Sequence, residues 1–270
     1  TAACVLKLAE LGMVDMHVPA DAYLPYTLRH PAHADVPITL HMLMTHTAAI
    51  KDGADYGLAM QQLTPADQVL AGDSWHAYPP GEKWSYSNLG AGLVGCVLEA
   101  ALGEPFESIM QKYLFMPFGI RASFYPQFIP GPLADARRVL PPARKPGFDA
   151  AQRKQRSTKG ADTPLPYEHY LMAQGSCCMS AEDLSIAVKA LIKPGYLQEE
   201  SLQLMRDAQA AFGERSAHLR QGPGLFRLED PAIAPFPLFG HQGNAYGAVH
   251  AACFEPKRER GLVFLSVGVS

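Results

Sequence analysis

Apolar residues recur at helical spacing in several windows of the chain. Val5, Leu6, Leu8, Ala9 and Leu11 form one such face, and Gly12 ends it. Thr39–His46 predicts a short helix. Thr64-Pro65-Ala66-Asp67 predicts a helix start, with Thr64 as cap and Pro65 in the first turn. The apolar run from Asn88 to Ala101 predicts a core helix closed by Gly103, and a second helix follows over Pro105–Leu114. Ser180-Ala181-Glu182-Asp183 reads as a capping box for a helix to Ile192, and 198–208 predicts another. The pattern then shortens to strand-like runs at 235–241, 246–254 and 261–268. Asn244 and 257–260 are expected in the turns between them. Residues 14–37, punctuated by Pro19, Pro25, Pro31 and Pro37, read as loop. Helices first and antiparallel strands last predict an α/β (α+β) fold or a mixed sandwich.

The chain has 270 residues, 48% of them hydrophobic and 18% charged, which is the composition of a folded domain. We expect a single domain over 1–270. Within it we expect a mainly helical lobe at 39–192 and sheet strands at 235–270. Residues 127–166 are a Pro-rich basic insertion. Its core carries Arg137, Arg138, Arg144, Lys145, Arg153, Lys154, Arg156 and Lys159 against Asp135 and Asp149, and it reads as a solvated surface segment. The net charge of −3 disfavours nucleic acid as a partner. No apolar run approaches the ~18 residues of a membrane span. Cys4, Cys96 and Cys253 sit in apolar runs and read as core residues. The adjacent Cys177 and Cys178 complete an odd count of five, so a disulfide framework is not expected. Thr1 enters a helical pattern at once and the chain ends on a strand-like run. This predicts missing material at both ends, and the sequence assigns neither compartment nor oligomeric state.

Three segments carry candidate chemistry. In Tyr78–Asn88 a Pro/Gly loop delivers Tyr86 and Asn88 to the mouth of a helix. A phenol there can relay protons, and a carboxamide can hold a substrate amide by donor and acceptor. In Phe239–Asn244 the strand ends with His241, able to offer a proton or a positive charge, and Gly243, which lets a substrate lie close to the strand. The third, Ile38–Ile50, reads as a scaffold helix whose polar groups bond to nearby backbone.

Taken in order, the chain resembles the serine β-lactamase and penicillin-binding superfamily, in its class C, DD-peptidase and esterase branch. The segments that carry the resemblance are ITLHMLMTHTAAI at 38–50, PGEKWSYSN at 80–88, AQGSCCMSAEDL at 173–184 and GHQG at 240–243. Thr1–Pro25 and FMPFGI at 115–120 are similar as well. The resemblance implies a β-lactamase/transpeptidase-like fold: an antiparallel sheet with flanking helices plus a helical lobe, the N-terminal strands and C-terminal helix being absent. It implies attack of a serine on an amide or ester carbonyl and an acyl-enzyme intermediate, without metal or cofactor. Tyr86 maps to the acid/base tyrosine and Asn88 to the substrate-positioning asparagine. His241 and Gly243 map to the third motif, and Asn244 would give an oxyanion N–H. The substrate would be a small-molecule or peptide acyl compound.

The chain departs from the pattern at four places. It contains no Ser-x-x-Lys, which the resemblance would put roughly half a dozen residues before Thr1. This chain alone is therefore expected to be inactive, and a non-catalytic binding or scaffold protein is the rival reading. Ala48-Ala49 stands where Ser-Gly is usual, and Ser176-Cys177-Cys178 replaces a glycine-rich approach. His241 in place of lysine disfavours a class C β-lactamase and favours DD-peptidase, D-aminopeptidase or esterase chemistry. His30, His33 and Asp35 superficially suggest a metallo-hydrolase, but neither H-x-H-x-D-H nor HExxH occurs. The reading further predicts that Tyr86, Asn88, His241 and Gly243 line one cavity near Thr1. It also predicts a sheet with an uncovered face and an unpaired edge.

Overall fold

A computed structural model describes residues 1–131, 161–212, 218–245 and 248–267. Its helices are α1 (Ala2–Glu10), α2 (Leu40–Met44), α3 (Ala54–Gln62), α4 (Ala66–Leu70), α5 (Asn88–Leu102), α6 (Phe106–Met110), α7 (Ala181–Lys189) and α8 (Glu199–Arg206). Two short strands, β1 (Ala122–Ser123) and β2 (Cys178–Met179), pair with each other. The main sheet is an antiparallel meander of six strands. They are β3 (Ala210–Ala211), β4 (Leu219–Gly222), β5 (Leu225–Leu228), β6 (Leu238–Ala245), β7 (Ala248–Glu255) and β8 (Arg260–Val267), neighbours in space in that order.

Helix α5 is the hub of the core. Leu89, Leu93, Val94, Cys96, Val97 and Leu98 are all buried. Its start is fixed by Ser87, whose Oγ accepts from the Gly90 N–H at 3.0 Å. Its end is fixed by Gly103 at φ 66°, a conformation glycine adopts without strain. Gly92 and Gly95 let the 169–173 segment lie directly on the helix: a Cβ on Gly92 would stand 1.7 Å from the Tyr170 carbonyl oxygen. The same segment is tied down by Glu99, which is fully buried. Its carboxylate accepts from Phe106 N–H at 2.7 Å, Leu165 N–H at 3.0 Å and His169 Nδ1 at 2.5 Å, so the desolvated charge is compensated.

Several sequence expectations need correction. Thr64 does not cap α4: Pro65 holds the cap position, and the Thr64 carbonyl accepts from the Tyr170 hydroxyl at 2.6 Å. The α-helix expected over 105–114 turns into a wider π-type turn at Gln111–Phe115, and the 180–192 helix stops at Lys189. Among the described residues six strands stand in the sheet rather than three. The β4–β5 hairpin escaped because its strands are four residues each and polar positions interrupt their apolar alternation. Asn244 is not in a turn: it lies within β6, opposite Val249. Cys4 and Cys96 are buried, but Cys253 on β7 is only partly so. The basic residues of the 127–166 insertion fall in 132–160, outside the described residues.

At the end of the sheet, α7 packs against β7 and β8. Leu262 and Phe264 on β8 are 64% and 52% exposed, and among the described residues β8 pairs only with β7. No single helix among the described residues is long and apolar enough to cross a membrane.

Candidate active site

The loop before α5 and strand β6 meet at Tyr86 and His241, whose ring centroids are 6.2 Å apart. Tyr86 is 36% exposed. Its ring also lies 4.3 Å from that of His46, at the end of α2. The loop is held in place by two residues that the sequence reading took for scaffold or did not single out. His46 Nδ1 accepts from the Ser87 N–H at 3.2 Å, and its carbonyl accepts from the Ser85 N–H at 2.9 Å. Asp52 collects four donors with its two oxygens: Ser87 Oγ, Leu89 N–H, Asn88 N–H and Asn88 Nδ2. A carboxylate at the first turn of α5 also suits the positive end of the helix dipole.

Charge at the site follows from burial. Desolvation, reinforced by the nearby His241, pushes His46 down to about 4. Burial likewise lowers His241. Tyr86 is raised, first by burial and then by the negative charge of Asp52. These residues thus stand near neutral pH as two uncharged imidazoles and a protonated phenol. His241 Nδ1 donates to the Gln242 carbonyl at 2.5 Å, so its neutral form presents Nε2 as an acceptor rather than a positive charge.

Past Gly240, β6 no longer pairs with β5, whose register with it covers Phe226↔Gly240 to Leu228↔Leu238. Residues 241–245 pair with β7 on one side only, and the other backbone edge of this stretch pairs with no strand among the described residues. A Cβ on Gly243 would meet nothing within 4 Å. Beside this edge the rings of Trp84, Phe212, Phe226 and His241 follow one another. Trp84 stacks on Phe212 at 3.8 Å, Phe212 meets Phe226 edge-on at 5.1 Å, and Phe226 stacks on His241 at 4.3 Å. Ala2, next to Thr1, abuts Gly224 in the β4–β5 turn.

Of the residues singled out from sequence, Tyr86 and His241 come together, and Asn88 is held at the loop's end. Gly243 and Asn244 lie farther along β6. The signal for His46 and Asp52 was local only: a histidine after a short helix and an aspartate after it, with nothing to say which loop they would meet. Ala49, where the resemblance expects glycine, keeps a left-handed φ of 57°. His30 is no metal ligand in waiting: its two ring nitrogens meet the His76 carbonyl and the Ala32 N–H. Among the described residues no group of three His, Cys, Asp or Glu could hold a metal ion.

The chain matches the Beta-lactamase family over residues 1–269. It is 26% identical to Esterase EstB of Burkholderia gladioli over 301 aligned positions, covering 98% of this chain and 73% of the esterase. It is 29% identical to the D-alanyl-D-alanine-carboxypeptidase/endopeptidase AmpH of Escherichia coli over 131 positions, 46% of this chain and 34% of AmpH. Among solved structures, a D-stereospecific amidohydrolase from Streptomyces sp. superposes with a TM-score of 0.73 at 20% identity, over 97% of this chain and 77% of that one, a likeness of fold. The chain belongs to the Beta-lactamase family, among esterase and carboxypeptidase relatives.

Proposed function

We propose that this chain builds one side of an acyl-transfer site, which cleaves an ester or amide through a serine acyl-enzyme. The observation that carries the reading is the approach of Tyr86 and His241 to 6.2 Å beside an open strand edge, from segments far apart in the sequence. Tyr86 moves the proton of the attacking hydroxyl and returns it to the leaving group. Being a protonated phenol at rest, it needs a cation close by to act as a base, and the lysine of a Ser-x-x-Lys motif is such a cation. The open edge at Gly243 takes the substrate's extended portion, and Asn244 contributes an N–H to the oxyanion. Asn88 keeps its carboxamide oxygen for the substrate, because Asp52 engages its nitrogen. The stack of Trp84, Phe212 and Phe226 beside His241 favours an apolar or aromatic acyl group. His241 in the third motif, with the relatives named above, favours an esterase, D-amino peptidase or DD-carboxypeptidase over a β-lactamase.

The 270 residues contain no Ser-x-x-Lys, so this reading assigns nucleophile and lysine to residues outside them. The chain by itself then forms no acyl-enzyme. The test is covalent labelling of the whole protein by a fluorescent penicillin and by a p-nitrophenyl ester. Label on a serine, with release of p-nitrophenol, is expected. Reversible ligand binding without any label would instead favour a non-catalytic binding protein.

A further inference from the structure

Resting on the acyl-transfer reading, we propose that His46 is the positioning residue for Tyr86. One residue brackets the phenol on both sides. The His46 carbonyl takes the N–H of Ser85, immediately before Tyr86, and its Nδ1 takes the N–H of Ser87, immediately after it. Its ring then packs against the phenol ring at 4.3 Å. Three contacts from one buried side chain and its backbone thus fix where the phenol stands. His46 holds a left-handed φ of 56°, which turns its carbonyl and its ring toward the same loop. A non-glycine residue is strained in that region, and asparagine tolerates it better than most.

The bond to Ser87 also fixes the tautomer. An N–H donates to Nδ1, so the ring proton of neutral His46 is on Nε2. The ionisable groups around it are His241, Asp52 and Tyr86. Burial and His241 keep the imidazole uncharged, so it orients the phenol without adding a cation beside it. Orientation is worth much in such a site: a displacement of about 1 Å can cost about a hundredfold in rate.

Two measurements test this. Nitrogen-15 NMR of the unaltered chain at pH 7 should show His46 as the Nε2–H tautomer, with a coupling across the bond to the Ser87 amide. An Nδ1–H tautomer would overturn the assignment. This arm needs no turnover, so it stands or falls apart from the catalytic reading. The second arm compares His46→Asn with His46→Phe in the whole protein, well below its melting temperature. Asparagine keeps an acceptor near the Nδ1 position and suits the left-handed backbone; phenylalanine keeps the ring and loses the acceptor. His46→Phe should lower kcat about a hundredfold with KM little changed, and His46→Asn should recover most of that loss. Equal kcat in both variants and the parent would refute the positioning role. Absence of acylation in the parent itself would sink the acyl-transfer reading and leave the NMR result as the measure of the clamp.

Discussion

Asp52 grips Asn88 twice through one oxygen: Oδ2 accepts from the Asn88 backbone N–H at 2.9 Å and from its Nδ2 at 2.7 Å. The other oxygen takes Ser87 Oγ and the Leu89 N–H, each at 2.9 Å. Substituting this aspartate should therefore loosen the entrance to α5. Asp52→Ala is expected to lower stability by about 1–3 kcal/mol, with Asp52→Asn intermediate, read by urea unfolding. A loss within ~0.5 kcal/mol for alanine would mean that these bonds only replace equally good ones to water.

Tyr86→Phe removes one hydroxyl from a partly exposed ring. Stability should change by less than about 1 kcal/mol, while acylation of a p-nitrophenyl ester by the whole protein should slow about 10²–10⁴-fold. Pre-steady-state release of p-nitrophenol separates acylation from the later steps. An unchanged burst rate would remove Tyr86 from the proton path.

Two glycines three residues apart on β6 should behave oppositely. A Cβ on Gly240 would stand 2.0 Å from the Ala252 carbonyl oxygen, whereas one on Gly243 meets nothing within 4 Å. Gly240→Ala should cost about 1–3 kcal/mol or more. Gly243→Ala should melt like the parent yet lower kcat/KM, because its methyl would stand in open space beside the strand that takes the substrate. Loss of stability in Gly243→Ala, or unaltered kinetics, would show that the edge is not the substrate's.

Acid should weaken the fold through His46. Its folded pKa, about 4, is below the ordinary value of 6.5. Between those values the unfolded chain binds a proton that the native site refuses. Stability contributed by the neutral form is thus full above about pH 6.5 and falls as pH drops toward 4. At 1.36 kcal/mol per pH unit the ceiling for this one group is about 3 kcal/mol. Urea midpoints at pH 7 and pH 5 should differ in the parent and differ less in His46→Asn.

The outer strand carries an association hazard. Leu262 and Phe264 are two residues apart on β8 and both are more than half exposed. Leu262→Lys with Phe264→Lys should reduce light scattering of the chain at high concentration while leaving the melting temperature nearly unchanged. Scattering that ignores both substitutions would place the sticky surface elsewhere.

Much of the local structure was legible in the sequence because it is set by neighbours along the chain. The apolar run after Asn88 and the glycine at 103 predicted α5, and the structure realises both. Ser180 does cap α7, its Oγ accepting the Asp183 N–H at 3.0 Å. The strand-like runs at 235–241, 246–254 and 261–268 appear with shifted ends, as Leu238–Ala245, Ala248–Glu255 and Arg260–Val267. Asn244 was misplaced for a physical reason: a polar residue beside glycine looks like a turn, but pairing with β7 opposite Val249 keeps it in the strand.

The order of motifs along the chain determined the family. Caps, turns and hydrophobic period, which are interactions over three or four residues, determined where helices begin and end. Only the tertiary structure decided that His46 and Asp52 hold the Tyr86 loop, that Phe226 stacks on His241, and that β6 runs on past the end of its pairing with β5 at Gly240. Those facts depend on which distant segments pack together and in what register. That choice is made by burial and by backbone hydrogen bonding across the whole domain, and no short window of sequence contains it.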